Sequence, residues 1–86
     1  MVLKGSEKYI EIETLRRTMD IEGVPVCVRC FLVTEPKMHY ELVLTSLGEH
    51  AVVDVAIDRE SELREFIDTS ALSFATAIML RRGLFF

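Results

Sequence analysis

The sequence predicts an α+β domain: a four-stranded antiparallel meander followed by one C-terminal α-helix packed on one face, in the order ββββα. Three observations carry this. Residues 24–33 and 51–57 are rich in β-branched side chains, and 38–46 alternates between two faces, as half-buried strands require. The segments between them are short and built from turn-forming residues, so neighbouring strands run antiparallel. After Ile57 the period changes: Leu63, Phe66, Ile67, Ala71, Phe74 and Ile78 recur at three- and four-residue spacing, which is one stripe of a helix.

Met1 to Ser6 reads as a lead-in, with Val2 and Leu3 tucked against the core. Tyr9 to Thr18 fits two periods. Ile10, Ile12 and Thr14 alternate with Glu11, Glu13 and Leu15 as in a strand, whereas Tyr9, Ile12, Leu15 or Arg16, and Met19 fit a helix. The strand reading is adopted. Asp20-Ile21-Glu22-Gly23 forms a turn into the clearest strand, Val24 to Val33, in which Pro25 is tolerated only at the start or on an edge. Thr34-Glu35-Pro36-Lys37 closes a hairpin with Met38 to Ser46. Leu47-Gly48 makes a second tight turn into Ala51 to Ile57, which feeds the helix directly.

Alternation assigns Ile10, Ile12, Val26, Val28, Cys30, Leu32, Tyr40, Leu42, Leu44, Ala51, Val53, Val55 and Ile57 to the face beneath the helix. The open face then carries Tyr9, Glu11, Glu13, Cys27, Arg29, Phe31, Val33, His39, Glu41, Val43, Val52 and Asp54, half apolar and half charged.

The helix has marked ends. Asp58 is placed to cap its first amides, with Glu60 and Glu62 on the positive end of its dipole, which predicts a start near Arg59. Glu60 and Arg64 add an exposed pair four residues apart. Arg81, Arg82 and Gly83 predict a stop near Arg82, with Leu84 folding back on the last turn. Asp68, Thr69 and Ser70 are able to kink it, because short polar side chains compete for backbone amides. Beyond them Ser70, Ser73 and Thr76 are the polar positions of an otherwise apolar segment, more than four short strands can cover. Ser70, Ser73, Phe74, Ala77 and Leu80, flanked by Leu72 and Met79, are therefore the candidate interface of a homodimer.

Eighty-six residues are read as a single domain, 1–86, and a chain of this length buries roughly 60–65% of its unfolded surface. Half of it is hydrophobic and 28% charged, a globular composition. A net charge of −4 disfavours nonspecific binding to phosphate backbones, which needs clustered Lys and Arg. Ala71 to Leu80 is the longest apolar run, about half a membrane span, so no membrane association is expected. No basic start leads into an apolar run, Met1-Val2 does not accept a myristoyl group, and the cysteines number two, which together predict a reduced, cytoplasmic setting.

Chemistry-bearing residue types are present without the spacing that chemistry needs. Cys27-Val28-Arg29-Cys30 is a CxxC, and His39 and His50 complete the inventory of a zinc site, but three residues apart on a strand the thiols point to opposite faces. Glu11 and Glu13 share a face, and simple registers place Arg29 between Glu13 and Glu41, which reads as a cross-strand charge ladder. Ser70, Ser73 and Thr76 lack a base or an oxyanion loop, and no glycine pattern suits a phosphate. No catalytic residue, cofactor or metal is predicted, and the chain is read as a small non-enzymatic interaction or regulatory protein, a homodimer that also binds another protein.

Tyr9, Arg29, Phe31, His39 and Glu41 are the candidate partner surface on the open face. A single-stranded nucleic acid is the alternative ligand, stacking on Tyr9 and Phe31 beside Arg29 and Arg17. Four antiparallel strands followed by a helix is similar in architecture to single-strand binders of the Whirly and PUR types, some of which dimerise through the helix. Their basic motifs are missing, and Glu11, Glu13, Glu41 and Asp54 repel phosphate, so nucleic acid is not favoured. An enzyme would require a pocket gathering Glu13, His39 or Cys27.

Overall fold

The computed structural model describes residues 8–83. The expectations for the lead-in 1–6 and for Leu84-Phe85-Phe86 lie outside the described residues. The architecture is α+β, an antiparallel sheet with one helix across a single face: β1 Tyr9–Glu11, β2 Arg17–Ile21, β3 Val24–Val33, β4 His39–Ser46, β5 Glu49–Ala56 and α1 Leu63–Arg82. The sheet order is β1-β3-β4-β5, with β2 also paired to β3.

Among the described residues the meander therefore has five strands where four were expected, because the first is split. β1 pairs with the C-terminal end of β3 (Tyr9 opposite Val33, Glu11 opposite Phe31) and β2 with its N-terminal half (Arg17 opposite Val28, Ile21 opposite Val24). Between them Ile12 still donates to the Cys30 carbonyl at 2.9 Å, then Glu13–Leu15 coil into a 3-10 turn closed by Leu15 N–H to Ile12 O at 3.0 Å. The turn shifts the alternation by one residue. Ile10 and Ile12 precede it on the helix side, whereas Leu15, Met19 and Ile21 occupy that side after it and pack against the core. The double periodicity of Tyr9 to Thr18 is the sum of two strand phases.

Both two-residue hairpins place both loop residues at positive φ, as a type I′ connection requires: Glu22 (54°) with Gly23 (86°), and Leu47 (50°) with Gly48 (81°). Asp20 Oδ1 accepts the Gly23 amide at 2.8 Å, so the acidic residue of the predicted turn sits on the end of β2 and holds the loop from there. Pro25 occupies the start of β3 as expected.

The helix begins later than its charges suggest. Ile57–Glu62 form a 3-10 turn with non-helical φ/ψ at Arg59, and neither this turn nor α1 receives a side-chain cap, so Asp58 does not act as one. The tight turn carries the chain from the end of β5 onto the sheet before the wider α register starts at Leu63. The local pair is Arg59 with Glu62, and the Arg59 guanidinium lies over the Phe66 ring at 5.3 Å. The C-terminus follows expectation: Gly83 is left-handed (φ 65°), and its amide bonds back to Leu80 O. Arg81 and Arg82 both reach Glu49 at the start of β5, and Arg82 also donates to the Leu47 carbonyl at 2.9 Å. There is no break at Asp68, whose carboxylate pairs with Arg17.

The core lies between α1 and the inner positions of β3, β4 and β5. Val24, Val26, Val28, Cys30, Tyr40, Leu42, Leu44 and Val55 meet Leu63, Ile67, Ala71, Phe74, Ala75, Ile78 and Met79. Burying a Leu or Ile such as Leu42 or Ile78 contributes about 1.5–3 kcal/mol each. Two expected core residues are outside it: Ile10 is 55% exposed and Ile57 38%. Ile10 is the central residue of the short edge strand β1, and Ile57 opens the 3-10 turn after β5. Val33, assigned to the open face, is buried but stands apart from the main cluster.

Candidate functional site

The open face is organised around β3, whose outward residues alternate with its buried valines. Phe31 is flanked by Glu11 on β1 and Glu41 on β4, and Tyr9 lies one pleat further along. The Tyr9 and Phe31 rings meet edge to face, centroids 6.3 Å apart, and the Arg29 guanidinium lies 5.3 Å from the Phe31 centroid. Arg29 is in turn fixed by Glu11, donating through Nε at 3.1 Å and Nη2 at 2.8 Å. Arg16 makes the same bidentate contact from the 3-10 turn, at 2.9 and 2.8 Å.

The two guanidiniums, Arg29 before Arg16, hold the Glu11 carboxyl down at about 2. This replaces the predicted ladder: Arg29 is partnered by Glu11, not by Glu13 and Glu41. The chain leaves the β1 ladder at Ile12, which carries Glu13 away and returns Arg16 to Glu11. Arg17, placed near the aromatics from sequence, is on the helix side of the sheet, opposite Val28.

A second cluster lies on the same face across β4 and β5. His39 and Glu41 are one pleat apart on β4, and Asp54 is the β5 residue directly opposite Glu41. His39 Nδ1 is 2.7 Å from the Lys37 carbonyl, which only accepts, so Nδ1 carries the proton and Nε2 is left facing Glu41 Oε2 at 3.4 Å. The imidazole pKa is raised, first by the Lys37 carbonyl and further by Glu41 and Asp54, against partial desolvation. A groove of about 580 Å3 runs alongside, lined by Met38, His39, Asp54 and Ile57 among others.

All five predicted open-face residues thus share one side of the sheet, in two groups: Tyr9, Arg29 and Phe31, and His39 with Glu41. Sequence reading missed the clamp on Glu11 by Arg16, which depends on the 3-10 turn. It placed Asp54 on this face without joining it to His39; the β4–β5 register was the signal that joins them.

The candidate interface residues are divided by the helix. Phe74 is 8% exposed and belongs to the core, because 67, 71, 74 and 78 form the stripe that meets the sheet. It is not available to a second chain. Ser70 and Ala77 are half-buried flanks, whereas Ser73 and Leu80 are exposed beside Leu72. The excess of apolar surface expected in this half is largely covered, since β2 adds Met19 and Ile21 to the sheet.

Cys30 is buried in the core, where desolvation pushes its thiol up, and Cys27 is on the opposite face. Cys27 and His39 line separate grooves, and Glu13 lines neither.

No family model, curated protein or solved structure matches this chain. Among the described residues no helix is long and apolar enough to cross a membrane.

Proposed function

We propose that this chain is a non-catalytic interaction protein that binds a partner protein through the open face of its sheet, in the reducing environment of the cytoplasm. The observation that carries the reading is the Tyr9–Phe31–Arg29 group. It combines the residue types that dominate the energetics of protein interfaces, and its geometry is set before binding. Arg29 is held by Glu11, and Phe31 lies between Arg29 and Tyr9, so little side-chain freedom remains to be lost. Tyr9 is 48% exposed and Val52, on the same face, 52%, which leaves apolar area for a partner to cover.

The experiment is cross-linking mass spectrometry in lysate of the source cells, comparing wild type with a Tyr9→Ala/Phe31→Ala variant. A protein cross-linked near β1 and β3 and lost from the variant supports the reading; identical cross-links in both sink it. Salt-sensitive binding of a single-stranded oligonucleotide, abolished by Phe31→Ala, would favour nucleic acid instead. Glu41 and Asp54 on the same face argue against that outcome.

Self-association through α1 is a second reading, favoured by Leu72 (55% exposed) and Leu80 (65% exposed) beside the small Ser73 and Ala77. It leaves the sheet face free. Light scattering tests it: a dimer mass for the wild type that falls to monomer in Leu80→Glu, where exposure spares the fold, supports it, and a monomeric wild type ends it.

A further inference from the structure

We propose that His39, Glu41 and Asp54 form a binding site for one divalent first-row metal ion, of the zinc or cobalt type, on the open face at the β4–β5 pair. The three donor atoms, an imidazole nitrogen and two carboxylate oxygens, lie within 4.8 Å of one another. They come from adjacent, fully paired strands, so their spacing is set by the ladder rather than by a loop.

Two features distinguish this group from an ordinary cluster of surface charges. The first is the orientation of the imidazole. Nδ1–H is spent on the Lys37 carbonyl at 2.7 Å, which orients the ring and leaves Nε2 facing the Glu41 carboxylate. A ligating histidine is usually held in this way, with its second nitrogen donating to a carbonyl or carboxylate that also raises its basicity.

The second is the spacing. Zinc–ligand bonds of about 2.0–2.1 Å place neighbouring donors of a tetrahedral site about 3.3–3.4 Å apart. His39 Nε2 and Glu41 Oε2 are 3.4 Å apart. Asp54, which is exposed, completes the set with its oxygen within 4.8 Å of both other donors.

The site is acidic: with His39 neutral the three groups carry a formal charge of −2, and His39 Nε2 faces Glu41 Oε2 at 3.4 Å, a spacing that either a proton or a metal ion can bridge. The guanidiniums of this face, Arg16 and Arg29, are engaged by Glu11. Three protein ligands leave a fourth position for water or for a donor from the partner, which opens towards the adjoining groove. A proton on Nε2 answers the same electrostatic demand as an imidazolium–carboxylate pair, and the titration below separates the two.

The site escaped sequence reading because its ligands are at positions 39, 41 and 54, with no spacing that a motif would register. It is separate from the CxxC, whose thiols lie on opposite faces. It is also independent of the proposed protein partner, since its test uses the isolated chain.

The experiment is calorimetric titration of the purified, metal-free full chain with zinc chloride at neutral pH, and with cobalt chloride followed by visible absorption. One ion per chain is expected, with affinity reduced at least about tenfold in His39→Ala and in Asp54→Asn and preserved in His50→Ala and Cys27→Ser. Far-UV circular dichroism checks the fold, and Asp54→Asn, an exposed and nearly isosteric change, decides the matter if His39→Ala does not fold. Absence of stoichiometric binding at millimolar zinc overturns the proposal and leaves the proton as occupant. Equal affinity in Asp54→Asn, or loss in His50→Ala or Cys27→Ser, overturns it as well.

Discussion

Arg17 of β2 and Asp68 of α1, fifty-one positions apart, meet with Nη1 2.7 Å from Oδ1. The contact ties the edge strand to the second turn of the helix and engages a side chain able to interrupt it. Both groups are about half exposed, so screening limits the energy. Asp68→Asn is expected to lower stability by less than about 1 kcal/mol, with the difference shrinking in high salt. Urea denaturation of both proteins at low and high salt reads it; a loss of several kcal/mol would mean that the pair is a structural anchor.

The division of the helix into a covered and an open side predicts unequal responses along it. Ile78→Ala is expected to cost about 2–5 kcal/mol and Phe74→Ala about 3–5 kcal/mol, from lost burial and the cavity left behind. Leu80→Ala, two residues beyond Ile78, is expected to stay within about 0.5 kcal/mol. Denaturant midpoints of the three variants check the ranking. A large effect at Leu80 would indicate that the exposed flank is covered in solution.

Stability is expected to fall in acid because carboxylates are held down in the folded chain. Glu11 drops from an ordinary 4.5 to about 2, mainly through Arg29 and then Arg16, and Glu49 and Glu62 shift the same way beside Arg81 and Arg59. A depressed folded pKa contributes stability that is fully present above the unfolded value and is lost as pH falls from about 4.5 towards 2. Melting temperature should therefore be flat above pH 5 with respect to these groups and decline below it. Glu11→Gln should flatten the acid limb, and an unchanged slope would remove Glu11 as a contributor.

Leu47 holds a left-handed conformation, φ 50°, at the first position of its hairpin loop, and its side chain is 43% exposed. An L-residue with a full side chain pays for this backbone, whereas Asn adopts it readily. Leu47→Asn is expected to stabilise by about 0.5–1 kcal/mol, a rise of several degrees in melting temperature. Gly48→Ala, at φ 81°, should lower it, and calorimetry of the pair tests the assignment of the turn.

Ser46 Oγ is buried and finds no hydrogen-bond partner among the described residues. Removing an unpaired buried hydroxyl relieves its desolvation, so Ser46→Ala should be neutral or stabilising by up to about 1 kcal/mol. A loss above 1 kcal/mol in thermal or chemical denaturation would show that the hydroxyl has a partner.

The hairpins around Glu22-Gly23 and Leu47-Gly48, the stop at Gly83 and the inner face of β3 and β4 were all legible in the chain, because each depends on residues within a turn or a pleat of one another. Asp20, Gly48 and Gly83 signal local backbone geometry, and Val26, Val28, Leu42 and Leu44 announce their face by period alone. Of the open face, the grouping of Tyr9, Arg29 and Phe31 was also readable, since two of the three lie on one strand. The partner of Arg29 was not, and neither was the joining of Asp54 to His39.

The sequence by itself therefore determined the fold class, the succession of strands followed by a C-terminal helix and the two faces of β3 and β4, all of which follow from periodicity and turn chemistry. Tertiary structure decided the interruption at Glu13–Leu15, the late start of α1, the Arg16–Glu11–Arg29 clamp and the His39–Glu41–Asp54 cluster. The reason is geometric. A ladder register or a tight 3-10 turn is chosen by how neighbouring strands and the helix fill their shared space, and a shift of one residue moves a side chain to the other face.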